Sequence, residues 1–161
     1  MRSAGPADAP HLLRIRRSAG AALTRDHGKG PWSLGATERG IAREIAGGTA
    51  LVADAGSGPL GMLLLGRRRP WAIDQGYFTP AVLPLYLTSM AVDPVVQRRG
   101  VGRALIAAAA DRARTAGADA IRLDAYDAPA GAGGFYAACG FAAVGRVTYR
   151  GTPLGYYELL L

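Results

Sequence analysis

The feature that most constrains this chain is a strand, a glycine turn and a helix in direct succession. The strand "LYLTSMAV" (residues 85–92) carries no charged side chain, which is typical of a central strand buried on both faces. The turn "QRRGVGRAL" (97–105) opens a helix that is predicted to end at Gly117, and a second strand, "AIRLDAY" (120–126), follows. This order predicts an α/β fold with a mixed sheet.

Weaker patterns predict the elements on either side. The stretch "HLLRIRR" (11–17) is short and partly alternating, which predicts a first strand, and Ser18 is a candidate cap for a helix after it. Isoleucines spaced four residues apart predict a helix within residues 36–48 that ends at its glycine pair. The other predicted elements are a hairpin over 49–66, a strand extension with a long loop over 67–84, a short helix over 134–140 and a closing hairpin over 144–161.

Length and composition indicate one globular domain, predicted over residues 11–161, preceded by a disordered tail over 1–10. The tail has no apolar core of signal-peptide length, and no apolar run is long enough to span a membrane. We therefore expect a soluble cytoplasmic protein without a membrane partner. One cysteine, Cys139, and two histidines provide no disulfide framework and no zinc cluster, so no metal is expected.

The glycine turn has the properties of an anion site. The first N–H groups of a helix have no partners within the helix, the helix dipole adds positive charge there, and glycine lets a phosphate approach the backbone. The formal net charge is +7, and Lys29 is the only lysine, so arginines supply nearly all the positive charge. A basic surface favours a polyanion, either a nucleic acid or a phosphate-rich small molecule.

Three phosphate-binding motifs compete for this turn. A P-loop needs a Gly-Lys-Ser/Thr run, which the chain lacks, and a dinucleotide fingerprint needs a third glycine where Leu105 stands. The pattern Gln/Arg-x-x-Gly-x-Gly/Ala is complete in "QRRGVG", residues 97–102. With this motif, and with "FYAACGF" (135–141) after the second strand, the chain resembles the GCN5-related N-acetyltransferase (GNAT) family. The resemblance is strong over residues 85–145 and generic over 12–84.

The resemblance implies a mixed, mostly antiparallel central sheet flanked by helices and splayed at the cofactor site. It implies an N-acetyltransferase that passes an acetyl group from acetyl-CoA directly to a primary amine of a small molecule or peptide. Tyr136 takes the place of the family's usual general acid. The positions that match the family's cofactor contacts are Met90, Ala91, Val92, Gln97, Arg98, Arg99, Gly100, Val101, Gly102 and Arg103.

Several points stay open from the sequence. Many family members carry an asparagine seven residues before the tyrosine, where this chain has Pro129, so that contact is lost, is made by main chain or passes to Asp127. The acceptor amine and the oligomeric state are not readable, although a homodimer is compatible with the pattern. The rival functions are a nucleic-acid-binding module, which we disfavour because no recognition motif accompanies the arginines, and a family member that binds CoA without catalysis. The candidate general bases are Glu38, Glu44, Asp74, Asp124 and Glu158, of which Asp124 and Glu158 interrupt otherwise apolar strands.

Overall fold

The computed structural model describes residues 1–47 and 49–161, so Gly48, half of the predicted helix stop, lies outside the described residues. The four helices are α1 (Ala9–His27), α2 (Glu38–Ala46), α3 (Val101–Thr115) and α4 (Gly133–Ala138). The seven strands are β1 (Arg2–Ser3), β2 (Ala50–Asp54), β3 (Pro59–Gly66), β4 (Pro84–Val92), β5 (Ala120–Tyr126), β6 (Ala142–Tyr149) and β7 (Thr152–Leu160).

The strands form one sheet in the order β1-β2-β3-β4-β5-β7-β6. Strands β4 and β5 pair in parallel, whereas β1–β2, β2–β3, β5–β7 and β6–β7 pair antiparallel. The parallel pair is the one that the strand, helix and strand succession predicts, because a crossover helix returns the chain to the same end of the sheet. The predicted mixed, mostly antiparallel sheet flanked by helices is confirmed.

The chain divides into two compact units. The first comprises residues 1–65 and 89–108, with α1, α2, β1–β3, the end of β4 and the start of α3. Its core consists of apolar side chains from both helices and two strands: Leu12, Leu13, Ile15, Ile41, Ile45, Val52 and Met62. The second unit comprises residues 66–88 and 109–161.

The predicted first strand over 11–17 is wrong, because these residues belong to α1. Arginines flank Ile15 and imitate a strand's alternation, but the completely buried side chains are Leu12 and Ile15, three apart on one helical face. Pro10 stands in the first turn of the helix, where its missing N–H costs nothing. The proline was the signal that could have distinguished helix from strand.

The first ten residues also differ from the expected disordered tail. Strand β1 pairs antiparallel with β2, and α1 begins at Ala9. The Arg2 guanidinium donates to both carboxylate oxygens of Asp8 at 2.7 Å and to Asp54 at 2.6 Å. One arginine therefore connects the start of the chain to the helix entry and to the end of β2. The bounds of the acetyltransferase domain, 11–161, stay a prediction.

The second unit packs around a buried cluster of one isoleucine and three aromatic residues: Ile73, Phe78, Tyr86 and Tyr156. Beside it, Arg122 of β5 and Glu158 of β7 form an ion pair at 2.9 Å with each residue only 3 % exposed. Arg122 also donates to the carbonyl of Thr79, and Glu158 accepts the N–H of Thr79 at 3.2 Å. The pair thus satisfies both main-chain groups of one residue in the connection between β3 and β4.

Within the described ranges, 1–47 and 49–161, every helix is too short or too polar to cross a membrane.

Breaking the buried ion pair should be costly, because one charge would remain buried without its partner. We expect Glu158→Leu or Arg122→Met to lower the free energy of unfolding by about 3–5 kcal/mol. The double variant should recover only part of that loss, because it leaves no charge behind but removes the side-chain partners of the N–H and carbonyl of Thr79. Urea unfolding of the three variants measures this, and a double variant as unstable as either single variant would show that the unpaired charge is not the source of the loss.

Candidate functional site

The turn between β4 and α3 has the geometry of an open, main-chain-lined loop. After a 3-10 turn over Pro94–Val96, Arg98 and Gly100 adopt left-handed backbone conformations, with φ of 60° and 84°. No atom lies within 4 Å of the position that a Cβ on Gly100 would occupy. Residues 97–100 are exposed, and the first turn of α3 directs N–H groups away from the helix. The residues present therefore fit a bound phosphate group.

The loop is anchored by Asp93, which the sequence analysis missed. Its buried carboxylate accepts a 2.6 Å bond from Arg14 of α1 and the N–H of Val95 at 3.2 Å, and its own N–H donates to Leu60 of β3. The Arg14 guanidinium lowers the pKa of the Asp93 carboxyl, so it remains charged well into the acidic range. The sequence signal was an aspartate directly before a proline, the pattern of a cap.

Gln97, the first residue of the motif, also has a structural contact. Its side-chain amide donates to the carbonyl of Val92 at 3.1 Å, which closes the loop back onto the end of β4. Arg98, Arg99 and Arg103 are exposed. The motif thus divides between a glutamine that shapes the loop and arginines that face solvent.

Strand β4 contains a left-handed residue just before the residues expected to contact the cofactor. Its parallel ladder with β5 extends from Pro84 to Tyr86, and Ser89 has a φ of 52°. A left-handed serine inside a strand marks a local bulge, and it lies one residue before Met90–Val92. The Ser89 hydroxyl is 3.5 Å from Glu44, a candidate base that already accepts two bonds from Arg16.

Tyr136 lies on α4 and is buried, with 7 % of its surface exposed. Its ring packs against Phe135, Phe141 and Tyr157, at centroid distances of 5.3 to 5.9 Å. Burial, followed by the nearby Asp124 and Cys139, raises the pKa of the Tyr136 hydroxyl. The phenol therefore keeps its proton at neutral pH.

Asp124 is the half-buried acid on β5, and burial raises the pKa of its carboxyl above 3.8. It stands opposite Tyr156 in the β5–β7 ladder, whereas Leu123 stands opposite Tyr157. Successive side chains of a strand point to opposite faces. Because Tyr136 of α4 packs on Tyr157, Tyr136 and Asp124 lie on opposite faces of the sheet at β5.

The other candidate bases are engaged elsewhere or exposed. Glu158 is buried in its pair with Arg122, Asp74 caps a 3-10 turn by accepting the N–H of Gly76, and Glu38 lies exposed in the first turn of α2. Asp127, the residue considered for the missing asparagine contact, pairs with Arg146 at 3.0 Å. Asp124 is therefore the acid whose environment most favours proton exchange.

Comparison with known proteins decides the family. The family model described as acetyltransferase (GNAT) family matches residues 21–141. The chain belongs to the GNAT acetyltransferase family. No curated protein sequence matches it significantly.

Solved GNAT structures share the fold across almost the whole chain. A ribosomal-protein-alanine N-acetyltransferase from Brucella melitensis superposes with a TM-score of 0.75 at 20 % identity, covering 99 % of this chain and 98 % of its own. The Salmonella typhimurium protein yncA, solved with its cofactor acetyl-CoA, gives 0.70 at 21 %, covering 99 % and 92 %. An aminoglycoside 6'-acetyltransferase type Ii gives 0.70 at 13 %, covering 99 % and 94 %. At these identities the comparison establishes the fold of this acetyltransferase.

No group of three or more histidine, cysteine or acidic side chains that could hold a metal ion occurs among the residues that the structure describes.

The Asp93 anchor gives a pH-dependent prediction. We expect Asp93→Ala to lower the free energy of unfolding by about 0.5–2 kcal/mol at pH 7, through loss of the cap. Because the folded pKa of Asp93 lies below its ordinary value of 3.8, its contribution is present above that value and is lost as the pH falls through the folded pKa. Urea unfolding at pH 7 and at successively lower pH values below 3.8 should show the gap between parent and variant closing, and a constant gap would contradict the charge assignment.

Proposed function

We propose that this GNAT protein transfers an acetyl group from acetyl-CoA to a primary amine of a small molecule or peptide. The observation that carries the proposal is the loop from Gln97 to Arg103, here called the cofactor loop, with its left-handed glycine at the start of α3. Membership of the family and the acetyl-CoA in the Salmonella relative support it. The Brucella enzyme is named for an alanine of a ribosomal protein and the other for an aminoglycoside, which supports keeping both acceptor classes.

The cofactor loop would hold the pyrophosphate of CoA mainly through main-chain N–H groups. The uncrowded backbone at Gly100 permits close approach, and Val101 and Gly102 begin the helix whose dipole favours an anion. Arg98, Arg99 and Arg103 supply attraction from exposed positions. The main chain of Met90, Ala91 and Val92, which follows the bulge at Ser89, would pair with the pantetheine arm.

When bound, acetyl-CoA supplies the thioester acetyl group and leaves as a thiolate. An N–H of the Ala91–Val92 region would polarise the thioester carbonyl. Asp124 would accept the proton that the acceptor nitrogen loses as its C–N bond forms. Tyr136 would donate its hydroxyl proton to the departing sulfur as the C–S bond breaks.

The placement of acid and base supports this division of roles. Asp124 has a raised pKa, which suits a carboxylate that must take up a proton, and Tyr136 is a protonated phenol at neutral pH. Because they belong to opposite faces of β5, each can serve a different side of the acetyl group. One proton enters at Asp124 and one leaves from Tyr136, so the net proton count is conserved.

The cofactor loop gives the first test. Gly100→Val should weaken acetyl-CoA binding far more than Arg98→Ala, because a side chain would enter the space that the phosphate needs, whereas one exposed arginine contributes modestly. Gly28→Val is the matched control, since Gly28 also has a positive φ of 79° and open surroundings, but ends α1. Calorimetric titration that finds equal affinity for folded Gly100→Val and Gly28→Val would remove the loop assignment.

The proton roles give the second test. We expect Tyr136→Phe to lower kcat by about 10²–10⁴-fold while acetyl-CoA affinity stays nearly unchanged, because the ring remains and only the acid is lost. Asp124→Asn should lower kcat comparably and abolish the fall of kcat/KM at low pH, a limb that should lie above pH 3.8. Steady-state kinetics of CoA thiol release measures both, and full turnover by folded Tyr136→Phe would exclude the acid role.

A further inference from the structure

The long connection between β3 and β4, residues 67–83, is unusual for its length and for how firmly it is held. Connections of this length without much regular structure are usually functional or disordered. This one contains a 3-10 turn over Gln75–Tyr77 and buries Ile73 and Phe78. A segment that is buried at two points is not a solvated linker, and its conformation is fixed by the fold.

Side chains from three strands hold the connection in place. The Tyr156 hydroxyl of β7 donates to the carbonyl of Ala72 and accepts the N–H of Asp74 at 3.2 Å. The Gln75 amide donates to the Tyr86 hydroxyl of β4 at 3.1 Å. The Arg122–Glu158 pair fixes Thr79, the third anchor. A buried ion pair and two buried tyrosines therefore position this one connection.

The residue that these anchors hold over the sheet is Tyr77. Its ring lies over Gly145 of β6, where an added Cβ would be 2.3 Å from the ring, and meets Tyr156 edge-on with centroids 5.4 Å apart. Asp124, Tyr156 and Gly145 are register partners across β5, β7 and β6, so they share one face. Tyr77 thus occupies a space that a glycine leaves open, on the face of the sheet that carries Asp124.

Packing alone does not account for Tyr77. The adjacent Phe78 fills the core against Tyr156 and lies under the Arg122 guanidinium, while Tyr77 keeps 45 % of its surface exposed. An aromatic ring presented to solvent attracts a cation over its face. The Arg122 guanidinium on this face is buried and paired. Arg67 and Arg68 are exposed at the start of the connection, and Arg69 donates to the carbonyl of Ile73 at 2.8 Å, whereas Asp74 lies exposed next to the turn that carries Tyr77. The ring face and the Asp74 carboxylate therefore favour a positively charged ligand at Tyr77.

We propose that the exposed part of the Tyr77 ring binds the acceptor and selects a cationic amine, which it presents on the Asp124 face of β5. The inference rests on the proposed acetyl transfer and adds the acceptor's charge class and the residue that recognises it. The ammonium rests against the ring and loses one proton to solvent water, and the lone pair of the resulting free amine forms the new C–N bond while the nitrogen's second proton passes to Asp124. The acetyl C–S bond breaks, and the sulfur takes the proton of Tyr136.

The test is steady-state kinetics with a panel containing a peptide with a free N-terminal amine, spermidine and an aminoglycoside. Tyr77→Ala should raise the acceptor KM about 3–30-fold and leave the acetyl-CoA KM unchanged, while Tyr77→Phe, which keeps the ring, stays near the parent. Gly145→Ala should raise the acceptor KM as well, because it displaces the ring without altering Tyr77. Trp71→Ala is the control, since Trp71 is 87 % exposed on the same connection and should have no effect.

The possible results distinguish a failure of the acceptor role of Tyr77 from a failure of the proposed acetyl transfer. An unchanged acceptor KM in Tyr77→Ala, with Tyr136→Phe still impaired, would overturn the acceptor role and leave the acetyltransfer standing. An equal rise in the KM for acetyl-CoA would also overturn it, because the ring would then support the fold and not the acceptor. If the parent acetylates none of the three amines, the proposed function fails and the inference fails with it.

Discussion

The structure depends on how β4 pairs. The strand begins in the sheet, where Pro84–Tyr86 align in parallel with β5, and further along it Ser89 has a left-handed backbone. The residues that follow Ser89 lead into the cofactor loop, which Asp93 and Gln97 fix.

Two charged residues on one face of strand β5 have different roles. Arg122 is neutralised by Glu158 and serves the architecture, because the pair holds Thr79 and so the connection between β3 and β4. Asp124, two residues on, is half-buried, and its carboxyl is harder to ionise. A paired charge stabilises a structure, whereas a desolvated one is available for proton exchange, and this difference distinguishes a structural acid from a candidate base.

Much of this could be read from the sequence where local rules and tertiary packing agree. The charge-free strand, the glycine turn, α3 and the closing hairpin were all predicted, because each has a strong periodicity or a turn residue. Helix α1 was misread because Arg14 and Arg16 imitate alternation around Ile15. The role of Glu158 could not be predicted, because it depends on Arg122 of another strand. For Asp93 the cap before Pro94 could be predicted, but the ion pair with Arg14 could not. Gly145 gave no signal, because its importance lies in the ring of Tyr77 above it.

Acetyl transfer from acetyl-CoA to an amine is the reaction on which the other assignments rest. The most direct measurement is the release of CoA thiol by the 161-residue protein, followed with and without the amine panel, alongside mass-spectrometric counting of the acetylated product. We expect saturable thiol release that requires both acetyl-CoA and an amine, with one acetylated amine formed for each thiol. Thiol release that is independent of every amine, or binding of an oligonucleotide in preference to acetyl-CoA, would contradict it.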